Sequence, residues 1–281
     1  MSYAPLTIFR SAKGLVVQKG EDLFRLEGLD FDDIFRHESA AALLHDRLAQ
    51  GAPVLAENRW LPPIQSQEVW AAGVTYLRSR DARIEESKDA GGGSFYDRVY
   101  DADRPEIFFK ASPHRVVGSG GEVRIRKDSK WNVPEPELTL AINRAGSIFG
   151  YTIGNDMSSR DIEGENPLYL PQAKVYSGCC ALGPGLVIRE PLPSAAAIKI
   201  QIARGGAPVF AGETSLARMK RSFPELAGWL TREDSFPHGC YLLTGTGIVP
   251  PNDFTLKPGD EIQISIDGLG TLVNKVARTS G

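Results

Sequence analysis

The sequence predicts a β-rich α+β chain built on a mixed sheet. From Glu68 onward, short apolar runs recur between turn-forming residues, spaced too closely for repeated strand–helix–strand units. Few segments have helical character, and no internal repeat or low-complexity tract interrupts the series. Residues 1–65 read as a small N-terminal domain, with strands at 7–10 and 14–18. A helix over 40–50 carries leucines at 43, 44 and 48. Leu61-Pro-Pro-Ile64 reads as a linker, because adjacent prolines interrupt both helix and ladder. Residues 66–281 form the main domain. Its expected strands lie at 69–75, 106–110, 123–126, 138–142, 147–153, 183–188, 197–203, 241–244 and 261–266. Helices are expected at 79–90 and 222–231. Gly91-Gly-Gly-Ser94 reads as a hinge, either in a solvated loop or in an active-site lid.

Bulk properties exclude several classes. The 281 residues, 42% hydrophobic and 24% charged, describe an ordinary globular chain. A net charge of −3 supplies no basic field for nucleic acid or an anionic membrane. No apolar run approaches the roughly 20 residues of a membrane span, and the first residues lack a signal-peptide pattern. Cys179, Cys180 and Cys240 are odd in number and two are adjacent, so buried, reduced thiols and a cytoplasmic setting are expected.

The densest chemistry lies between Trp131 and Arg160. Pro134 and Pro136 bracket Glu135 and disfavour helix, so the segment is extended and Glu135 and Glu137 project side by side. Asp156 follows the strand-like run 147–153. A turn at 143–146 would join the two strands as a hairpin. Counting from that turn leaves Asp156 about four residues further out than Glu137, a sizeable offset at about 3.3 Å per residue. A bulge or bend at Gly150 or Gly154 would remove it. Three oxygen ligands without His or Cys suit Mg²⁺, Mn²⁺ or Ca²⁺ rather than zinc. The competing reading puts the glutamates on a solvated edge strand and Asp156 in a turn. The apolar run 138–142 that follows the glutamates argues against it.

Six segments then appear in order: Phe108-Phe-Lys110; Pro134-Glu-Pro-Glu-Leu138; Gly150 to Asp161; Lys174 followed by Leu182-Gly-Pro184; Thr244-Gly-Thr-Gly247; and Leu256-Lys-Pro-Gly-Asp260 with the run to Asn274. Together they resemble the fumarylacetoacetate hydrolase superfamily over roughly residues 68–277. The resemblance implies a mixed β-roll catalytic domain behind a small N-terminal domain, assembly as a homodimer or higher homo-oligomer, and Mg²⁺ held by Glu135, Glu137 and Asp156.

The chain also departs from that pattern. Hydrolases of the superfamily carry Asn-Tyr-x-x-His-x-x-Glu, whose His–Glu pair activates water. Here Thr75-Tyr76 takes the Asn-Tyr place, with Ser79 for the His and Ala82 for the Glu, so that base is missing. His114 is an alternative near the site; the other histidines read as structural or exposed. The segment is similar to the branch of 2-keto-3-deoxy-pentonate dehydratases, which need no nucleophilic water. On that reading Glu106 is the base, with Glu85 or Glu86 as second choice, and Lys174 lies near the metal. Arg78, Ser79 and Thr246 bind the substrate, with Arg160 as a further anion partner or a structural ion-pair residue. The runner-up is a C–C bond hydrolase of 2,4-diketo acids, and a third class is a non-catalytic metal-binding relative. The expected ligand is a small 2-keto acid.

Overall fold

The computed structural model describes residues 3–57, 59–86 and 98–278. The leading residues form strands β1 (Leu6–Ser11), β2 (Gly14–Lys19) and β3 (Asp22–Leu26), helices α1 (Phe31–Arg36) and α2 (Ala40–Leu48), and β4 (Ala52–Pro53). A capping box starts α1: Asp30 accepts the Asp33 N–H while the Asp33 carboxylate accepts the Asp30 N–H. Next come β5 (Glu68–Gly73), α3 (Leu77–Glu86), β6 (Glu106–Ala111), β7 (Val116–Val117), β8 (Glu122–Ile125) and β9 (Asn132–Val133). The middle of the chain forms β10 (Pro136–Ile142), β11 (Ile148–Asp156), β12 (Ser158–Ser159), α4 (Arg160–Glu165), α5 (Leu170–Lys174) and β13 (Cys180–Ile188). It ends with β14 (Ala197–Arg204), β15 (Ala207–Ser215), α6 (Phe223–Leu230), β16 (Cys240–Leu243), β17 (Glu261–Ile266) and β18 (Gly270–Arg278). The helix expected over 79–90 is α3. Its expected end and the Gly91–Gly93 hinge lie outside the described residues.

Among the described residues, eleven strands make the main sheet, in the order β4-β3-β2-β1-β13-β11-β10-β16-β5-β6 with β7 against β13. Most pairs are antiparallel; β16–β5 and β13–β7 are parallel, so the sheet is mixed. The leading strands join the main sheet through the antiparallel β1–β13 pair. A second sheet, β15-β14-β17-β18-β8, packs against it. Its isoleucines explain why. Ile198, Ile200 and Ile202 on β14 and Ile262, Ile264 and Ile266 on β17 point inward at every second residue, while Lys199, Gln201 and Gln263 face solvent. Every residue of β10 is buried, which places the carboxylate-bearing strand at the centre of the molecule. No helix among the described residues is long and apolar enough to cross a membrane.

Neither β15 nor β18 was anticipated, nor were β3 and the two-residue strands β4, β7, β9 and β12. Of these, β15 is an edge strand with most residues exposed, so it lacks the alternation by which strands are read.

One glycine permits the close packing of side chains on the central strands. A Cβ at Gly154 would lie 2.3 Å from Thr139 Oγ1 and 2.8 Å from Leu243 Cδ2. We expect Gly154→Ala to lower stability by about 1–3 kcal/mol in urea unfolding, by overpacking. Gly228→Ala, with open space on the exposed side of α6, should be neutral or stabilising by up to about 1 kcal/mol.

Candidate active site and metal centre

The β10–β11 hairpin decides where the acidic residues meet. Its turn spans 143–147, held by Asn143, whose Oδ1 accepts the Ala145 N–H (3.0 Å) and the Ser147 N–H (2.9 Å). Ala141 lies opposite Gly150 and Ile142 opposite Ile148, leaving Phe149 as the extra residue of a bulge. Beyond it Glu137 faces Gly154 and Pro136 faces Asn155. Asp156 therefore falls across from Glu135, and its N–H donates to the Glu135 carbonyl at 3.0 Å. The offset counted from the sequence arose from a turn taken one residue too short and from matching Asp156 to Glu137. The bulge is at Phe149, not at Gly150 or Gly154. Glu135, Glu137 and Asp156 thus share one face, with a carboxylate oxygen from each within 4.8 Å of the others.

All three are buried, and two lysines neutralise part of their charge. Lys174 Nζ, at the end of α5, lies 2.7 Å from Glu135 Oε2 and 3.1 Å from Asp156 Oδ2 and donates to Ser158 Oγ at 2.6 Å. Lys110 Nζ on β6 contacts Asp156 Oδ1 at 2.5 Å and donates to the carbonyls of Met157 (2.9 Å) and Lys174 (2.5 Å). Arg160 holds Glu135 Oε1 at 2.9 Å. Burial disfavours charge on Asp156, but Lys110 and Lys174 outweigh it and hold the carboxyl below its usual range. Burial likewise opposes charge on Lys174, yet Asp156, Glu135 and Glu163 keep its ammonium above its ordinary value.

Glu137 is different. Its Oε2 accepts the Gly245 N–H at 2.5 Å, and no ammonium or guanidinium pairs with it among the described residues. Burial, then Asp156 and Glu135, push its carboxyl well above the ordinary value. A buried carboxylate lacking a cation beside two others is a donor set that fits a divalent ion, and oxygen-only donors favour a hard one such as Mg²⁺.

The rest of a narrow cavity closes around this group. It is lined by Ala72, Gly73, Val74, Ser79, Arg83, Phe108, Arg160, Lys174, Gly245 and Thr246 besides the three carboxylates. Gly245 has φ +91°, and a Cβ there would lie 2.1 Å from Thr75 Oγ1, so glycine alone lets this backbone reach Glu137. Val74, β-branched at φ +54°, is the non-glycine residue in the left-handed region among the described residues, a strained backbone at the cavity wall. Gly73 faces Glu106 across the β5–β6 ladder, and Glu106 Oε2 occupies the space where a residue-73 Cβ would stand. That oxygen is buried without a hydrogen-bond partner, although the residue as a whole keeps some exposure. Burial raises the Glu106 carboxyl above its ordinary value; Arg83 opposes this, and Glu163 reinforces it.

The other candidates are placed as follows. Ser79 is buried in the wall, with Oγ donating to the Tyr76 carbonyl (2.7 Å) and accepting the Tyr76 N–H (3.3 Å). Thr246 lines the wall with its hydroxyl engaged by Ile248. Arg78 and Glu85 are exposed on α3 and do not line the cavity. His114 is exposed in a short turn beside Ser112, also away from it. Lys110, Arg83 and Glu163 were not singled out from the sequence as site residues. Lys110 ends the Phe-Phe-Lys run, and Glu163 follows Arg160 by three residues on α4, so helical spacing was an available signal. The three cysteines are buried and free. A larger groove of ≈ 900 Å³, lined by Phe149, Tyr151, Arg189 and Phe223 among others, contains none of these site residues.

If Glu137 holds its proton until a metal displaces it, Mg²⁺ binding releases a proton, and affinity rises with pH through a range above the ordinary carboxylate value. Calorimetry in two buffers of different ionisation enthalpy should report that release. Glu137→Gln should abolish it and weaken Mg²⁺ at least tenfold.

Residues 69–277 match the family described as fumarylacetoacetate (FAA) hydrolase C-terminal. A probable 2-keto-3-deoxyxylonate dehydratase of Haloferax volcanii is 46% identical over 256 residues, 88% of this chain and 87% of the relative. The 2-dehydro-3-deoxy-D-arabinonate dehydratase of Saccharolobus solfataricus is 44% identical over 219 residues, 77% of this chain and 74% of that protein. A solved 2-keto-3-deoxy-D-arabinonate dehydratase, complexed with magnesium and 2,5-dioxopentanoate, superposes with a TM-score of 0.83 at 33% identity, covering 99% of this chain and all of its own. With the mixed sheet and six ordered motifs, the match over most of the chain makes this protein a member of the fumarylacetoacetate hydrolase family.

Proposed function

We propose that this protein is a Mg²⁺-dependent dehydratase of a 2-keto-3-deoxy-pentonate. One observation carries the choice over the C–C bond hydrolase: the water-activating pair is replaced by groups unable to do that work. Ser79 is bonded in both directions to the Tyr76 backbone and Ala82 has no titratable group, while the Glu106 carboxyl lies against Gly73 of the cavity wall, its proton affinity raised by burial. Two relatives at 46% and 44% identity are themselves named as dehydratases.

Glu135, Glu137 and Asp156 would hold the ion, which when bound withdraws charge from the substrate's carboxylate and 2-keto oxygens. Glu106 removes the C3 proton, and its raised carboxyl suits a base working nearer neutrality than a free glutamate. The electrons of the C3–H bond form a C3–C4 double bond as the C4–O bond breaks, and the proton taken from C3 leaves with the C4 hydroxide as water. The 5-hydroxy-3-ene-2-keto acid then tautomerises, losing one proton from C5 and one from its hydroxyl and gaining one each at C3 and C4, to give the α-keto semialdehyde. Lys174, fixed by Glu135, Asp156 and Ser158, stays an ammonium and supplies positive charge beside the keto group. A protonated amine is no nucleophile, so an imine route is disfavoured. Ser79 and Thr246 shape the wall, and Arg78, exposed in the first turn of α3, attracts an anionic substrate. Glu106 is preferred to Glu85 as base because Glu85 faces solvent. Homo-oligomeric assembly and a cytoplasmic setting belong to the same proposal, the latter in keeping with three buried free thiols.

The purified protein with Mg²⁺ should convert a 2-keto-3-deoxy-pentonate to an α-keto semialdehyde. Pyruvate released from an acylpyruvate, with no dehydration, would instead assign the hydrolase. Glu106→Gln should reduce kcat at least 100-fold with Mg²⁺ affinity nearly unchanged; retained turnover would remove Glu106 as base.

Because Glu106 must be ionised to accept a proton, kcat/KM should fall as pH drops through its raised pKa. Gly73→Ala, whose new Cβ meets Glu106 Oε2, should lower kcat while leaving Mg²⁺ affinity nearly intact.

A further inference from the structure

Arg83 and Glu163 take no part in the steps above, yet both are buried beside the site. Arg83 is 5% exposed and lines the cavity; Glu163 is 1% exposed and lies behind it. Arg83 follows Ser79 by four residues on α3 and Glu163 follows Arg160 by three on α4, so each shares a helix face with a cavity-lining residue. The two helices pack together, and the side chains form an ion pair between Arg83 Nη1 and Glu163 Oε1. Lys174 Nζ stands 3.9 Å from the same carboxylate oxygen.

A buried ion pair adds little net stability compared with apolar residues of the same volume. A cation at the wall of a substrate cavity therefore calls for a further role. Position indicates which. Arg83 lines the wall together with Gly73, the residue that faces Glu106 across the β5–β6 ladder. It pairs with Glu163, whereas Arg160 and Lys174 pair with the carboxylates Glu135 and Asp156, so Arg83 shares the Glu106 wall of the cavity. A 2-keto acid whose head reaches the carboxylate cluster and whose C3 lies at Glu106 directs C4 and C5 toward that side. The guanidinium presents N–H donors in a rigid fork suited to hydroxyl oxygens, and it replaces no base, because it does not give up its proton.

We propose that Arg83 recognises the hydroxylated C4–C5 tail of the substrate and that Glu163 is its positioning residue, locking the guanidinium against the wall. This assignment rests on the dehydratase reading. It makes Arg83 the group that separates hydroxylated 2-keto acids from short ones that share only the carboxylate and keto head.

The test compares two ligands in the presence of Mg²⁺, by calorimetry on a Glu106→Gln background that blocks turnover. One is a 2-keto-3-deoxy-pentonate and the other is pyruvate, which has the head and no tail. Arg83→Gln should weaken the pentonate about 10- to 100-fold, the span of a hydrogen bond to a charged group, and change pyruvate less than about twofold. Arg83→Lys should restore part of the loss, and Glu163→Gln should weaken the pentonate by a smaller factor with pyruvate unaffected. Pyruvate binding shows that each variant keeps a folded head site. If Arg83→Gln fails to fold, the lysine and Glu163 variants still separate the two ligands. Equal weakening of both ligands, or of neither, overturns the assignment while the unsubstituted enzyme still dehydrates the pentonate. An unsubstituted enzyme that neither dehydrates the pentonate nor prefers it to pyruvate overturns the dehydratase reading and this assignment together.

Discussion

The ammonium of Lys174, 2.7 Å from Glu135 and 3.1 Å from Asp156, is the contact on which the architecture of the site depends. Burying carboxylates costs several kcal/mol each unless opposite charge accompanies them. At an effective dielectric constant near 20, a pair at 4 Å recovers about 4 kcal/mol, so close, multiply bonded lysines offset much of that cost. Lys110 completes the scheme from the other side of Asp156 and ties its own strand to the carbonyl of Lys174. The pairing passes over one carboxylate, because Lys110, Arg160 and Lys174 all contact Glu135 or Asp156. Glu137 meets a backbone N–H and no side-chain cation among the described residues, and that deficit is what suits the cluster to a divalent ion.

Backbone shape supports the same end. Glycine at 245 lets the chain after β16 lie against Glu137, and glycine at 73 leaves room for the Glu106 carboxyl. The strained Val74 stands between two parts of the cavity wall, where a strained conformation persists only because its surroundings over-determine it. These positions lie at strand ends: the sheet supplies rigidity, and Glu106 and Glu137 near the starts of β6 and β10 lie toward the same end of it as Asp156 at the close of β11.

Relatives named as dehydratases and the absence of a water-activating pair point the same way for separate reasons. The first is similarity across most of the chain. The second is local chemistry, since Ser79 is committed to the first turn of α3 and the Glu106 carboxyl fills the space that the missing side chain of Gly73 leaves.

Much was legible before folding was considered. Prolines at 134 and 136 make the segment extended, and the two-residue repeat of a strand then puts Glu135 and Glu137 on one face. The isoleucine alternation in β14 and β17 marks the inward face of the second sheet. What local pattern could not supply was register. A one-residue bulge at Phe149 decides that Asp156 lies across from Glu135, and bulges leave little trace in composition. Long-range partners were equally hidden: Lys110 and Asp156, or Arg83 and Glu163, are far apart along the chain and meet only through packing. The sequence by itself determined the candidate metal-binding carboxylates, the strand periodicity and the family. The tertiary structure alone decided which buried charges face one another, because burial and pairing are properties of the folded neighbourhood and not of a residue's neighbours along the chain.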